Sequence, residues 1–369
     1  MTSLPDGVDS RTVETDRLET HLIETGPKDG EPVVFVHGNA SSSRFYAEFL
    51  ADLPDEYRAI TPDLRGYGHS ERKPIDATRG MRDFQDDVRA LVADLDIDRP
   101  HVVGWSTGGG VVMRYAIEHP AEVASITLLN PVSPYGYGGT RRDGTPCQPD
   151  YAGTGAGLAN DEFIERLEAG DRSADSEASP RNVMRTFYLA PESGLDPDIE
   201  DVYVDALLNT ETGDYYYPGN ATESKNWPGV APGDGGTNNA LSPKYLDLTS
   251  IVDVDPKPPL LWVRGAEDQV VSDASFFDAG YLGQIGELPA GPARRSTPRS
   301  RWSPRPGTCS RSTPTPAART KRLLSTGPAT RHTSNGRKRS CRRSSAIWSE
   351  ISARSGRSYS PSTKSMNSA

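Results

Sequence analysis

One stretch limits what this chain can fold into: Gly104-Trp105-Ser106-Thr107-Gly108. The apolar run His101-Val102-Val103 leads into it, and Gly109-Gly110-Val111-Val112-Met113-Arg114-Tyr115-Ala116 follows with the look of a helix. A strand, a tight glycine-flanked turn, a serine and a helix form the context in which a serine hydroxyl stands exposed on a sharp elbow. A serine hydroxyl is a weak nucleophile at neutral pH. It needs a base, a group that orients the base, and donors for the oxyanion that forms. The rest of the chain therefore has to supply a histidine, an acid and a pocket of backbone N–H groups.

The elements around the elbow read as alternating strands and helices. Residues 1–16 form a polar lead-in, and residues 18–25 alternate weakly as an early antiparallel strand. Pro32-Val33-Val34-Phe35-Val36 is a continuous apolar run of the buried parallel type. It ends at His37-Gly38-Asn39. A helix is expected next, with Ser41–Ser43 as cap candidates and Phe45, Phe49, Leu50 and Leu53 facing inward. A strand over residues 58–62, a helix over 81–95 carrying Phe84, Val88, Leu91, Val92 and Leu95, the elbow, and a strand over 124–129 complete this half. The alternation predicts an α/β fold with a doubly wound, mostly parallel sheet.

From residue 131 to 249 strand-like runs disappear, and short helical patterns occur at 161–167 and 181–188. So long a stretch between two sheet strands is an insertion, not a connection, and is read as a mainly helical cap over the site. Tyr215-Tyr216-Tyr217 and Trp227 either line a pocket or pack the cap's own core. Pro258-Pro259-Leu260-Leu261-Trp262-Val263 resumes the buried strand pattern, and Ser272 or Asp273 is expected to cap a short helix through Phe277. The expected organisation is a lead-in over 1–16, a core of 17–130 with 250–288, a cap over 131–249 and a tail over 289–369.

Four motifs in order carry a resemblance: His37-Gly38-Asn39, Asp63-Leu64-Arg65-Gly66-Tyr67-Gly68-His69-Ser70, the Gly104–Gly108 elbow and Gly265-Ala266-Glu267-Asp268. With them, residues 15–285 resemble the serine-nucleophile, esterase- and lipase-like branch of the α/β-hydrolases. The resemblance implies that Ser106 is the nucleophile and that the N–H groups of Asn39 and Thr107 form the oxyanion hole. It implies that Asp268 is the acid, with Glu267 as the substitute. Relatives that open epoxides or remove halides carry an aspartate at the elbow, so a serine there points to esters, thioesters, lactones or amides. A small-molecule substrate is expected, and no metal or cofactor. The alternative is a non-catalytic protein of the same fold that binds a ligand in the pocket.

The family order places a histidine after the acid. Of His21, His37, His69, His101, His119 and His332, only His332 follows Asp268, and no apolar strand precedes it. Its surroundings are unlike the rest of the chain. Residues 290–369 hold 18 Lys and Arg and one acid, Glu350, whereas residues 1–289 hold 23 bases and 50 acids. The acidic, lysine-poor front resembles proteins of salt-loving archaea, in which salt screens the self-repulsion. A basic tail of this kind is either a disordered nucleic-acid-binding segment or the product of a reading frame that slips near Pro289. With GC-rich codons read one base earlier, residues 324–339 become LDGAGHAPHIERPEAF, whose G-H-x-P-H-x-E-x-P is the family's histidine motif. That histidine codon straddles Ala329 and Thr330. The frame-slip reading is favoured, because aromatics for base stacking are nearly absent. The tail is then non-native and disordered, and nucleic acid is not a partner. The cysteines, Cys147, Cys309 and Cys341, have no metal-ligand or disulfide spacing. A polar N-terminus and the lack of a long apolar run lead to the expectation of a cytoplasmic protein without membrane contact.

Overall fold

The computed structural model describes residues 3–190 and 193–288. His332, the basic tail and the frame-slip reading lie outside the described residues. The continuous apolar runs become the parallel strands β3 (Glu31–Val36), β4 (Tyr57–Pro62), β5 (His101–Trp105), β6 (Ser125–Leu129) and β7 (Leu260–Val263). Preceding them are β1 (Asp9–Glu14) and β2 (Glu19–Thr25), which pair antiparallel with each other. β2 in turn runs antiparallel to β4, so the described sheet has the order β1-β2-β4-β3-β5-β6-β7. The mostly parallel sheet anticipated from the runs is thus present. β3 lies between β4 and β5 in register Val34 to Ile60 and Val34 to Val102, and these three side chains are at most 1% exposed. Such strands are buried on both faces, which is why they do not alternate.

Helices cover the sheet. α1 (Ala47–Ala51) follows a 3₁₀ turn over Ser43–Tyr46, whose first turn Ser42 caps by accepting from the Arg44 N–H. Leu50 and Ala47 pack into the layer with Phe35, Ile23 and Ala59, whereas Phe45 turns the other way, into the insertion. On the opposite face α2 (Arg82–Asp94) buries Phe84, Val88, Leu91 and Val92, and α3 (Thr107–Glu118) is buried along most of its length.

Residues 9–14 depart from the expected loose lead-in. They form β1 because the Thr15 hydroxyl accepts from the N–H groups of Arg17 and Leu18, closing a tight hairpin onto β2. β1 is an edge strand with five of its six residues exposed, so it carries no apolar signature. The expected helix through Phe277 is also displaced. Ser275 accepts from the Phe277 N–H in a turn, and Asp278 instead caps a helix over Ala279–Ile285 by accepting from the Tyr281 N–H.

Between β6 and β7 the chain leaves the sheet. α4 (Asp161–Glu168), α5 (Pro180–Phe187) and α6 (Pro197–Leu208) start at caps supplied by Asn160, Ser179 and Asp196. The Pro180 and Pro197 rings fix the first turns of the latter two helices. A short α7 (Thr237–Ala240) precedes the return to β7, and α8 (Ala279–Ile285) follows it. Phe163, Leu167, Met184, Tyr203, Val204, Leu207 and Tyr217 form one apolar cluster with Phe45 and Ala40 of the core. Tyr217 therefore packs inside this cluster, while Tyr215 is 51% exposed. Among the described residues no helix is long and apolar enough to cross a membrane.

Candidate active site

Ser106 stands between the end of β5 and the start of α3 with φ 53° and ψ −115°. A side chain at positive φ is strained by about 1–3 kcal/mol and persists only where its surroundings over-determine it. Here the Ser106 N–H donates to the Leu129 carbonyl (3.0 Å), and the Ser106 carbonyl accepts from Gly109 (3.0 Å) and Val132 (3.1 Å). The glycines are steric requirements. A Cβ on Gly104 would lie 2.3 Å from the Gly108 carbonyl oxygen, and one on Gly108 would lie 2.2 Å from that of Val36. The elbow is thereby pressed against the end of β3, where His37-Gly38-Asn39 begins. A Cβ on Gly38 would sit 3.2 Å from the Ser106 Cβ. Among the described residues, the backbone N–H groups of Asn39 and Thr107 have no hydrogen-bond acceptor.

Asp268 follows β7, which pairs with β6 in register Val263 to Leu129. Since β6 separates β5 from β7, the elbow and the Asp268 loop leave the same end of the sheet two strand spacings apart, roughly 10 Å. Asn130, just past β6 at φ 42°, is held to the Asp268 side: its N–H donates to Val263, and its side-chain oxygen accepts from Gly265, while the neighbouring Leu129 carbonyl accepts from the Ser106 N–H. Asp268 Oδ1 accepts from the N–H groups of Val270 (2.8 Å) and Val271 (2.9 Å). Its Oδ2 is buried and, among the described residues, has no hydrogen-bond partner. Glu267, the alternative acid, is exposed.

Histidines occupy other places. His37 is fully buried. Its Nε2 accepts from the Leu64 N–H (3.0 Å), so its proton resides on Nδ1, which donates to the Gly38 carbonyl (2.8 Å). Burial lowers its pKa, and the ring is a neutral brace for the loop. His101 begins β5, at the sheet end opposite Ser106, and contacts Ser125 and Glu31. His119 faces Glu122. His21 Nδ1 lies 2.7 Å from Asp63 Oδ2, with the His69 ring edge-on to it. Among the described residues none is hydrogen-bonded to Ser106 or Asp268, and no cluster of three side chains suited to a metal ion occurs.

The buried Asp63 carboxylate holds the glycine-rich turn. Burial would raise its pKa, but the His21 contact, the nearby His37 and the His69 N–H outweigh it and hold the group down at about 2. A group so depressed stabilises the fold fully above its ordinary value of 3.8, and this contribution disappears as the pH falls through 2. Urea unfolding at pH 5 and pH 2 is expected to show the chain losing about 2 kcal/mol more than Asp63→Asn over that interval. Equal losses in the two proteins would remove Asp63 from this role.

Of the residues that hold Asn39, Tyr67 belongs to the glycine-rich motif, whereas Asn238 and Tyr188 lie outside the four motifs. The Asn39 side-chain nitrogen donates to Asn238 Oδ1 (2.8 Å), and its side-chain oxygen accepts from Tyr67 (2.7 Å). The Tyr188 hydroxyl donates to the Asn39 carbonyl (3.0 Å). Trp105, Phe45 and Tyr188 form an aromatic wall beside the elbow, with ring centroids 5.5–5.9 Å apart.

Comparison with known proteins places this geometry in a class. Residues 31–146 match the family model described as alpha/beta hydrolase fold. An uncharacterized carboxylesterase of Bacillus subtilis is 24% identical over 172 residues, 44% of this chain and 57% of that protein. The 2-hydroxy-6-oxo-2,4-heptadienoate hydrolase of Pseudomonas putida is 28% identical over 54% of this chain and 76% of its own length. A non-heme chloroperoxidase of Streptomyces lividans is 40% identical over 111 residues, 30% of this chain and 40% of that one. The match thus spans little more than half of the carboxylesterase's length and less of the chloroperoxidase's. Among solved structures, the enol-lactonase of Burkholderia xenovorans superposes with a TM-score of 0.48 at 18% identity, over 74% of this chain and 87% of that one. The family-model match over residues 31–146 and these hydrolase relatives support the α/β-hydrolase superfamily.

Proposed function

We propose that the chain derives from a serine hydrolase that cleaves an ester-like small molecule through an acyl-enzyme. The observation that carries this reading is the strained Ser106, set beside the two uncommitted N–H groups of Asn39 and Thr107. In the first step a histidine oriented by Asp268 takes the Ser106 proton as Oγ bonds to the substrate carbonyl carbon. The carbonyl oxygen becomes an oxyanion held by the Asn39 and Thr107 N–H groups. The histidine then gives the proton to the leaving alkoxide, and the alcohol departs. Water attacks the acyl-enzyme by the same route, releasing the acid and regenerating Ser106. The names of its relatives, a carboxylesterase and a dienoate hydrolase among them, agree with hydrolytic chemistry.

Among the described residues no histidine is placed to act as the base, and the frame slip near Pro289 is the reading that accounts for it. The orphaned Asp268 Oδ2 supports this, because a buried carboxylate oxygen without a donor costs free energy that a histidine N–H would offset. Labelling with a fluorophosphonate probe tests the whole. A chain with the frame restored after Pro289 is expected to label at Ser106, and its Ser106→Ala form not at all. Absence of label from the restored chain would sink the enzyme reading in favour of a ligand-binding protein of the same fold.

A further inference from the structure

We infer that Tyr188, at the end of α5 in the insertion, is a positioning residue for the oxyanion loop. This rests on the reading of Ser106 as the nucleophile. Three consecutive peptide groups of the loop are each held by their carbonyl oxygens. The Gly38 carbonyl accepts from His37 Nδ1 (2.8 Å) and from the Ser41 hydroxyl (2.9 Å), both buried. In a trans peptide the N–H points opposite to the carbonyl. Fixing the Gly38 oxygen toward His37 therefore aims the Asn39 N–H the other way. The next two carbonyls, those of Asn39 and Ala40, share one donor, the Tyr188 hydroxyl, at 3.0 and 3.3 Å.

That clamp acts on a strained turn. Ala40 has φ 41°, a left-handed conformation that an alanine adopts only under restraint. The Asn39 side chain restrains it from within by accepting from the Ala40 N–H (3.1 Å), and Tyr67 and Asn238 hold that side chain in turn. Tyr188 is the restraint on the carbonyl side. Its ring is fixed independently of its hydroxyl, against Trp105 (5.5 Å) and Phe45 (5.9 Å). Burial raises its pKa well above the ordinary tyrosine value, so the hydroxyl remains a donor throughout the working range. Removing the oxygen alone thus frees the loop while leaving the aromatic wall in place. The insertion then does more than cover the site: through Tyr188 it restrains the turn that directly follows the Asn39 N–H, one of the two oxyanion donors.

Tyr188→Phe tests this by two measurements, labelling in the chain with the frame restored after Pro289 and hydrogen exchange in the chain as written. Fluorophosphonate labelling of Ser106 is expected to lose about tenfold in its maximal rate, with half-saturating probe concentration unchanged within twofold, because an oxyanion donor acts on the transition state and not on the bound ground state. Backbone hydrogen exchange is expected to speed up about tenfold in a peptide spanning 38–41 while α5 keeps its protection. Labelling at the unmodified rate, or unchanged exchange at 38–41, would overturn the assignment. Accelerated exchange across α5 as well would show Tyr188 to be a packing residue and overturn it too. If the frame-restored chain without the substitution does not label at Ser106, the nucleophile reading fails, and the exchange measurement alone decides whether Tyr188 holds the loop.

Discussion

Restoring the reading frame after Pro289 is expected to raise the hydrolysis of a simple aryl ester by about 10⁴-fold over the chain as written, the scale on which a serine triad depends on its histidine. The parts already present explain why one change has so large an effect. Ser106 occupies its strained conformation, and the Asn39 and Thr107 N–H groups are uncommitted. Asp268 has two backbone donors on one oxygen and none on the other. On the proposed reading, the described residues supply every part except the group that transfers the proton. The same logic gives a control: in the restored chain Asp268→Asn should forfeit about 10³- to 10⁴-fold, because the histidine loses the partner that fixes its tautomer. Initial rates with a chromogenic acetate, with Ser106→Ala as the blank, measure both. A restored chain no faster than the original would refute the missing-base account. An undiminished Asp268→Asn would move the acid elsewhere.

Gly108→Ala is expected to lower stability by on the order of 3 kcal/mol, the upper range for forcing a methyl group into a filled interior. The added Cβ would meet the carbonyl oxygens of Val36 at 2.2 Å and His37 at 2.6 Å. Both are backbone atoms, so no side-chain rotation can relieve the clash. Either α3 lifts from the sheet or β3 shifts, and β3 is paired on both sides. Gly170→Ala provides the contrast. Gly170 has open space around its Cβ position but φ 65°, so its cost is the backbone term alone, about 1 kcal/mol. Urea unfolding of the two variants separates steric from conformational demand. Equal midpoints would mean that the close approach of elbow and β3 is not required.

The residues that can be read from local sequence are those whose roles are local. Val34, Phe35, Val102 and Ile126 announce buried parallel strands because both faces of such strands are apolar. Ser106 and Asp268 announce themselves because each follows a strand end within a few residues. β1 gives no such notice, since Asp9, Ser10, Arg11 and Thr12 all face solvent. α6 carries a local signal of its own: Asp196-Pro197 is a cap signal, and Ile199, Tyr203, Val204 and Leu207 recur at helical spacing. The restraints on Asn39 are of another kind. They come from Tyr188, 149 residues away, and from Asn238, 199 residues away. No periodicity or spacing encodes a contact made only after the insertion has folded back over the core.

β7 ends the described sheet with Leu260 and Leu261 51% and 57% exposed. A strand in that position is a template: its outer row of peptide groups can extend the ladder with any extended segment that arrives, including another copy of itself. The opposing influence is the strong negative charge of residues 1–289, which keeps copies apart at low ionic strength. Salt weakens that repulsion while leaving the leucines as sticky as before. Ionic strength therefore acts on this molecule in two directions at once, relieving the crowding of charge within one copy and lowering the barrier between two.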